Sequence, residues 1–339
     1  MSIGQLLYQF LARPALFILS PERGQRVAES AFRRTAIWRM LEPYLGVQDP
    51  SLETNLCGLK LSSPVGLAAG FDKDCQMLPS LSRLGFGYLV GGTVLPQSQP
   101  GNPSPRMLRK RSDHALINSL GFPSRGLEAV AAAIKHRTDM RATPLVMSIS
   151  GLSVEEMIEC HRKLEPLCDA IEVNISSPNT ESLRLFQQPD DLLKLLDGLN
   201  EKRHKPLFVK LPRYQPNREG TVERVLELAR VCRDTAMDGV TMANTRPMHD
   251  RRLAVGSGGL SGPPLFHETL ALVRALRGEI GEKLAINACG GITTGEDVWE
   301  VLQAGATTVQ LYTAMVYRGP AVVRDINRRL VRLRKKESR

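Results

Sequence analysis

The chain has no C-x-x-C pair, and its six cysteines (Cys57, Cys75, Cys160, Cys168, Cys232 and Cys289) stand at no zinc-type spacing from its six histidines. No metal site is therefore implied, and the cysteines read as reduced thiols of a cytosolic protein. It also lacks an apolar run long enough to cross a bilayer. Arg13-Pro14 divides the Leu, Phe and Ile of the first 20 residues into pieces shorter than the ~20 residues a spanning helix needs. No basic cluster precedes that stretch and no small-residue cleavage site follows it, which argues against a secretory signal. Residues 64–320 contain no Ser/Gly linker and no low-complexity tract, so nothing divides that region into separate domains.

What is present is the composition of a globular chain able to bury a full core: 339 residues, 42% apolar and 24% charged, with 28 Gly and 22 Pro spread throughout. The length allows two or three small domains or one large α/β barrel with an appendage. Net charge is +10, and the excess sits at the ends: six Arg against three Glu in residues 1–46, and eight Lys/Arg against two acids in residues 324–339. The residues between are close to neutral, which is too balanced for a nucleic-acid groove over the main body.

Leu6, Leu7, Phe10 and Leu11 recur at helical spacing, and Ser20-Pro21 has the form of an N-cap followed by Pro at the first helical position. A second helix is expected from there to about Tyr44, with Val27, Ala31, Phe32, Trp38 and Leu41 alternating with arginines. Two readings of this basic amphipathic pair stand side by side: a helical cap on its own domain, or helices lying at a membrane surface. From residue 64 short aliphatic runs alternate with amphipathic helical stretches, the pattern of parallel β/α units. Eight strands are expected, at 65–69, 88–92, 145–149, 170–173, 207–211, 239–243, 284–288 and 308–312, with helices such as 154–164, 221–233 and 297–304 between them. The fold class is α/β, a (β/α)8 TIM barrel (residues 47–339, ending in a basic helix) with a small N-terminal helical extension (residues 1–46).

In such a barrel the active site lies past the C-terminal ends of the strands. The residues there are Ala68, Ala69, Gly70, Asp72 and Lys73 after the first strand, Thr93 after the second, and the string 174–180 after the fourth. Lys210 follows the fifth, Asn244 and Thr245 the sixth, Gly290 and Gly291 the seventh, and Tyr312 and Thr313 the eighth. This rim suits a flat, amide-rich, anionic ligand: Asn offers both donor and acceptor, and Lys supplies charge. The paired glycines after strand 7, with Tyr312-Thr313 after strand 8, occupy the usual phosphate position of the fold. The glycines at 256–259 read as a flexible piece of the loop after strand 6.

The strings Gly-Leu-Ala-Ala-Gly-Phe-Asp-Lys (66–73), Asn-Ile-Ser-Ser-Pro-Asn-Thr (174–180), Gly-Gly-Leu-Ser-Gly (258–262) and Val-Gln-Leu-Tyr-Thr (309–313) resemble those of the dihydroorotate dehydrogenases, specifically the quinone-dependent class 2 branch. The resemblance implies an FMN barrel at the cytoplasmic face of a membrane, held peripherally on anionic lipid, that oxidises dihydroorotate to orotate and passes electrons to a membrane quinone. By position it makes Ser177 the base that removes the C5 proton while hydride leaves C6. Thr180 and ordered water would form a relay past Phe122, because a serine hydroxyl is a poor base at neutral pH. Class 1 relatives place Cys where this chain has Ser177. The implied substrate contacts are Lys73, Asn118, Asn174, Asn179, Asn244 and Thr245. The implied FMN contacts are Ala68, Ala69, Gly70, Thr93, Asn174, Lys210, Ser261 and Gly262, with Gly290, Gly291, Tyr312 and Thr313 at the phosphate; Lys210 would stabilise the anionic reduced ring. Arg109 and Tyr312 would lie near the quinone.

The chain departs from the family pattern after strand 3, where Ser148-Ile149-Ser150-Gly151-Leu152 replaces the usual Asn-x-Gly-Lys-Asn, and at Pro123, where the family tends to carry Asn. Loss of one flavin contact worth ~0.5–1.5 kcal/mol would weaken FMN binding by roughly threefold to tenfold. Two other readings follow: a different FMN barrel acting on a reduced pyrimidine, such as a dihydrouridine synthase, and a cofactor-poor, non-catalytic paralogue. The near-neutral middle of the chain counts against an RNA substrate.

Overall fold

The computed structural model describes residues 2–136, 139–176, 185–213 and 220–337. Eight parallel strands close into a barrel in chain order: β1 (Val65–Asp72), β2 (Tyr88–Val94), β3 (Leu145–Ile149), β4 (Ala170–Asn174), β5 (Leu207–Lys210), β6 (Gly239–Met242), β7 (Ala285–Cys289) and β8 (Thr308–Leu311). β8 pairs with β1, and β5 with β6, so no edge remains in the ring. Each strand lies where an apolar run predicted it, because strands buried on both faces read as continuous hydrophobic segments. The helices between them are fixed by local chemistry. Val154–Leu164 starts at Ser153, whose hydroxyl accepts the Glu156 N–H. Gly295–Gln303 starts in a reciprocal cap between Thr294 and Asp297, an arrangement that satisfies donors otherwise left open at a helix start.

The N-terminal end of the barrel is plugged by a hairpin, Thr54–Leu56 with Leu59–Leu61. Its Leu56 and Leu61 pack on Tyr88, Val146, Ala170 and Phe208, inward residues from the first or second positions of four strands. One layer higher the interior changes character: Glu172, Lys210, Thr241, Asn287, Thr308 and Gln310 are all buried. Branched aliphatic residues are the usual filling of this fold.

A four-stranded antiparallel sheet lies in the order Arg246–His249, Ser257–Ser261, Ala115–Asn118 and Met107–Lys110. This corrects the reading of the glycines at 256–259 as a flexible loop: three of those four positions belong to a central strand. A Cβ on Gly258 would lie 2.7 Å from the Asn118 carbonyl oxygen and one on Gly259 1.9 Å from Thr245 Oγ1. The glycines are there because two strands and a rim residue approach too closely for side chains.

The N-terminal segment also departs from expectation in two places. Ile3–Leu7, a π-helical turn at Tyr8–Ala12 and Arg13–Ile18 run on without a break, so Pro14 does not end the helix. It sits at the second position of the last segment, where its missing N–H is tolerated beside the widened turn. The expected single helix to Tyr44 is instead Pro21–Phe32 and Thr35–Leu41, followed by a 3-10 turn at Glu42–Tyr44. Trp38 folds back to stack on Phe32 with ring centroids 4.4 Å apart, and its indole N–H donates to the Ala31 carbonyl. That tertiary contact breaks the helix at Arg33-Arg34 without Pro or Gly. No helix among the described residues is long and apolar enough to cross a membrane.

Candidate active site

A cavity of about 180 Å³ opens at the C-terminal ends of the strands. Of the site residues expected from the sequence and lying within the described regions, Ala68, Ala69, Gly70, Lys73, Thr93, Asn118, Phe122, Asn174, Lys210, Asn244, Thr245, Ser261, Gly262, Gly290, Gly291, Tyr312 and Thr313 line it, whereas Asp72 and Arg109 do not. Ser177, Asn179 and Thr180 lie outside the described residues. Asp72 belongs elsewhere: its carboxylate accepts the N–H groups of Gln76 and Met77 at 2.9 and 2.8 Å, and burial pushes its pKa up to about 6.

Polar side chains cross the mouth as one hydrogen-bonded chain. Ser148 Oγ and Thr93 Oγ1 are 3.0 Å apart, and Asn174 Nδ2 donates to Thr93 Oγ1 at 3.0 Å. Ser176 donates from Oγ to Asn174 Oδ1 at 2.7 Å and accepts from Asn244 Nδ2 at 3.0 Å, while Asn244 Oδ1 accepts the Thr245 N–H at 2.7 Å. Ser148, standing where the family pattern has Asn, is thus spent on Thr93. Ser176 was not singled out from the sequence. The signal was its parity, since residues 172, 174 and 176 all point inward when alternate positions share a face.

Lys73 donates from Nζ to the Gly70 carbonyl at 2.8 Å, and burial holds its ammonium below the usual lysine range. Phe122 has φ +52°, and its carbonyl accepts from Gln99 Nε2 at 2.9 Å, as does that of Gly121 at 3.2 Å. This pins the loop carrying Phe122 and Pro123 against the cavity. At the opposite end Gly290 and Gly291 have φ of +129° and +78°. A Cβ there would run into the Arg213 guanidinium or the Phe266 backbone nitrogen, so only glycine fits at this wall. Ser261 Oγ and Thr313 Oγ1 meet at 2.9 Å beside it.

A second cavity, about 120 Å³ and mostly apolar, lies between the N-terminal helices and the barrel. Leu16, Phe17, Ala28, Phe32, Met77 and Met315 form much of its wall, with Arg109 among the polar residues. Arg109 donates to the carbonyls of Leu19 (2.7 Å) and Leu16 (3.3 Å) and lies over the Phe17 ring at 4.3 Å. Gly24 lets the helix pass, because a Cβ there would stand 2.5 Å from Arg109 Nη2. Met107, Leu116 and Tyr312 line both cavities. Burial pushes the Tyr312 hydroxyl up to about 12, which keeps it protonated at neutral pH. The outer faces of these helices leave large apolar side chains in solvent, among them Ile18 (86% exposed), Ile3 (77%) and Phe10 (71%).

The barrel and its mouth define an α/β-barrel protein with a cavity rimmed by amides, hydroxyls and lysines and a separate apolar chamber behind one wall. The family model described as Dihydroorotate dehydrogenase matches residues 51–333, and the chain belongs to that family. Among curated relatives, a dihydroorotate dehydrogenase (quinone) of Janthinobacterium sp. (strain Marseille) is 36% identical over 95% of this chain and 97% of its own length. One of Bordetella pertussis (strain Tohama I / ATCC BAA-589 / NCTC 13251) is 37% identical over 94% of this chain and 96% of its own. The crystal structure of an Eimeria tenella dihydroorotate dehydrogenase in complex with ferulenol is similar with a TM-score of 0.83 at 29% identity, covering 95% of each chain.

Proposed function

We propose that this protein oxidises dihydroorotate to orotate with FMN and passes the electrons to a membrane quinone. The observation that carries the reading is the pair of cavities sharing Met107, Leu116 and Tyr312 as a wall. One cavity is rimmed by amides and lysines and the other is apolar, as two substrates of opposite polarity served by one redox group require.

The mouth fits FMN. Gly290 and Gly291 line the cavity beside Thr313, where backbone N–H groups would meet a phosphate, and Lys210, Thr93 and Asn174 would supply polar contacts for the ring. FMN, when bound, supplies the hydride acceptor that no side chain provides. Ser148 forms its hydrogen bond within the wall, so flavin is held by the remaining contacts. Lys73 pairs with the substrate carboxylate, Asn118, Asn174, Asn179 and Asn244 match its imide edge, and Ser177 takes the C5 proton with Thr180 and Phe122 shaping the relay. Residues 1–46 form the quinone chamber, with Arg109 at its polar end. Their exposed apolar face and flanking arginines, together with the basic C-terminal helix Val322–Glu337, rest on anionic lipid at the cytoplasmic face of the membrane.

A spectrum tests the reading. Purified protein should be yellow and bleach on adding dihydroorotate. Yellow but unresponsive protein would point to another reduced pyrimidine, and colourless protein that takes up no FMN would mark a non-catalytic paralogue.

Lys73 gives a pH signature. Its folded pKa is depressed, so the ammonium is lost as pH rises through a value below the ordinary ~10.4. The KM for dihydroorotate should rise on the alkaline side with that inflection, while flavin content stays constant. A KM flat to pH 10 would remove Lys73 from substrate binding.

A further inference from the structure

Beneath the proposed flavin floor, the inward residues of β4, β5, β6, β7 and β8 form a polar network in the sealed interior. Glu172 is 1% exposed and Lys210 5%. Glu172 Oε2 accepts from Thr241 Oγ1 at 2.7 Å and Gln310 Nε2 at 3.3 Å. Thr241 Oγ1 accepts in turn from Asn287 Nδ2 at 3.4 Å, Asn287 Oδ1 accepts from Thr308 Oγ1 at 2.7 Å, and Tyr88 meets Thr308 at 2.8 Å. The other carboxylate oxygen, Oε1, has no hydrogen-bond partner among the described residues, and Lys210 Nζ stands 3.9 Å from it. That distance is too long for a hydrogen bond but well within Coulombic reach. A buried carboxylate needs a counter-charge, and Lys210, which also lines the mouth, faces it from above.

We propose that Glu172 is a positioning residue that sets the reducing power of the site by balancing Lys210 from below. The inference rests on the functional reading given above, in which Lys210 faces the flavin. A lone lysine would stabilise the negative charge of the reduced ring in full. With a carboxylate behind it, the field reaching the ring is smaller, so the reduced form is less stabilised and is a stronger donor to quinone. The hydroxyls and amides around Glu172 fix the carboxylate on the side of Lys210 away from the mouth.

The test is the midpoint potential of the flavin in the FMN-loaded full-length protein, read by equilibration with a reference dye. In Glu172→Gln, which keeps the shape and removes the charge, the ratio of reduced to oxidised flavin at a fixed potential should rise about tenfold, or about 30 mV for a two-electron couple. Glu172→Asp should stay near the wild-type value. Lys210→Gln should move the potential the other way, and Glu172→Gln/Lys210→Gln should return it toward wild type, a cycle that also serves if Glu172→Gln alone does not fold. An unshifted potential in flavin-loaded Glu172→Gln, or a double variant no different from Lys210→Gln, overturns the inference and leaves the functional reading standing. A wild-type protein that takes up no FMN overturns both.

Discussion

Replacing Ser177 by alanine is expected to leave a folded, flavin-loaded protein whose flavin is reduced by dihydroorotate roughly 10²–10⁴-fold more slowly, the span that general-base help supplies. The size of the effect follows from the rest of the mouth. Asp72 does not line the cavity and is occupied by two backbone N–H groups, and the polar side chains that do line it are amides, hydroxyls, lysines and the Cys289 thiol. None of these is an ordinary base at neutral pH. Substrate affinity should change little, because Lys73, Asn118, Asn174 and Asn244 are untouched. Stopped-flow reduction separates the two effects, and a rate equal to that of wild type would take the base role away from Ser177.

Filling the apolar chamber should split the two half-reactions. Ala28→Trp adds a bulky ring to a space of about 120 Å³, enough to displace a quinone headgroup without touching the mouth. Turnover with long-chain quinone should fall at least about a hundredfold, equivalent to about 2.7 kcal/mol of lost binding. Reduction of the flavin by dihydroorotate and its reoxidation by ferricyanide should stay near wild type. Deleting residues 1–46 should give the same split. If those helices merely cover barrel surface, the deletion aggregates and Ala28→Trp turns over quinone normally, and that pair of results would end the chamber reading.

The barrel was legible in the sequence because its strands are buried on both faces, and the rim because polar residues end each apolar run in turn. Other features rest on contacts that no local pattern encodes. The strand Ser257–Ser261 carries two consecutive glycines that look like slack, yet they are demanded by the Asn118 backbone and the Thr245 side chain. Those neighbours are distant in sequence. The break after Phe32 is made by a tryptophan six residues on that returns to stack on it, whereas arginine-rich helical periodicity runs straight through. Glu172 does not read as an interior residue, because a charged residue within a β-branched run is ordinarily assigned to solvent. Only barrel closure turns that position toward Lys210. Ser148 looked like a lost contact, and the structure gives it a different one, to Thr93.

The wall made by Met107, Leu116 and Tyr312 has a kinetic consequence. Since each chamber lies on its own side of it, neither visitor has to leave before the other arrives. Orotate should therefore compete with dihydroorotate but not with quinone, and quinone analogues should raise the quinone KM while leaving that for dihydroorotate alone. A single shared vestibule would force the two to take turns, and steady-state inhibition patterns tell the two plans apart.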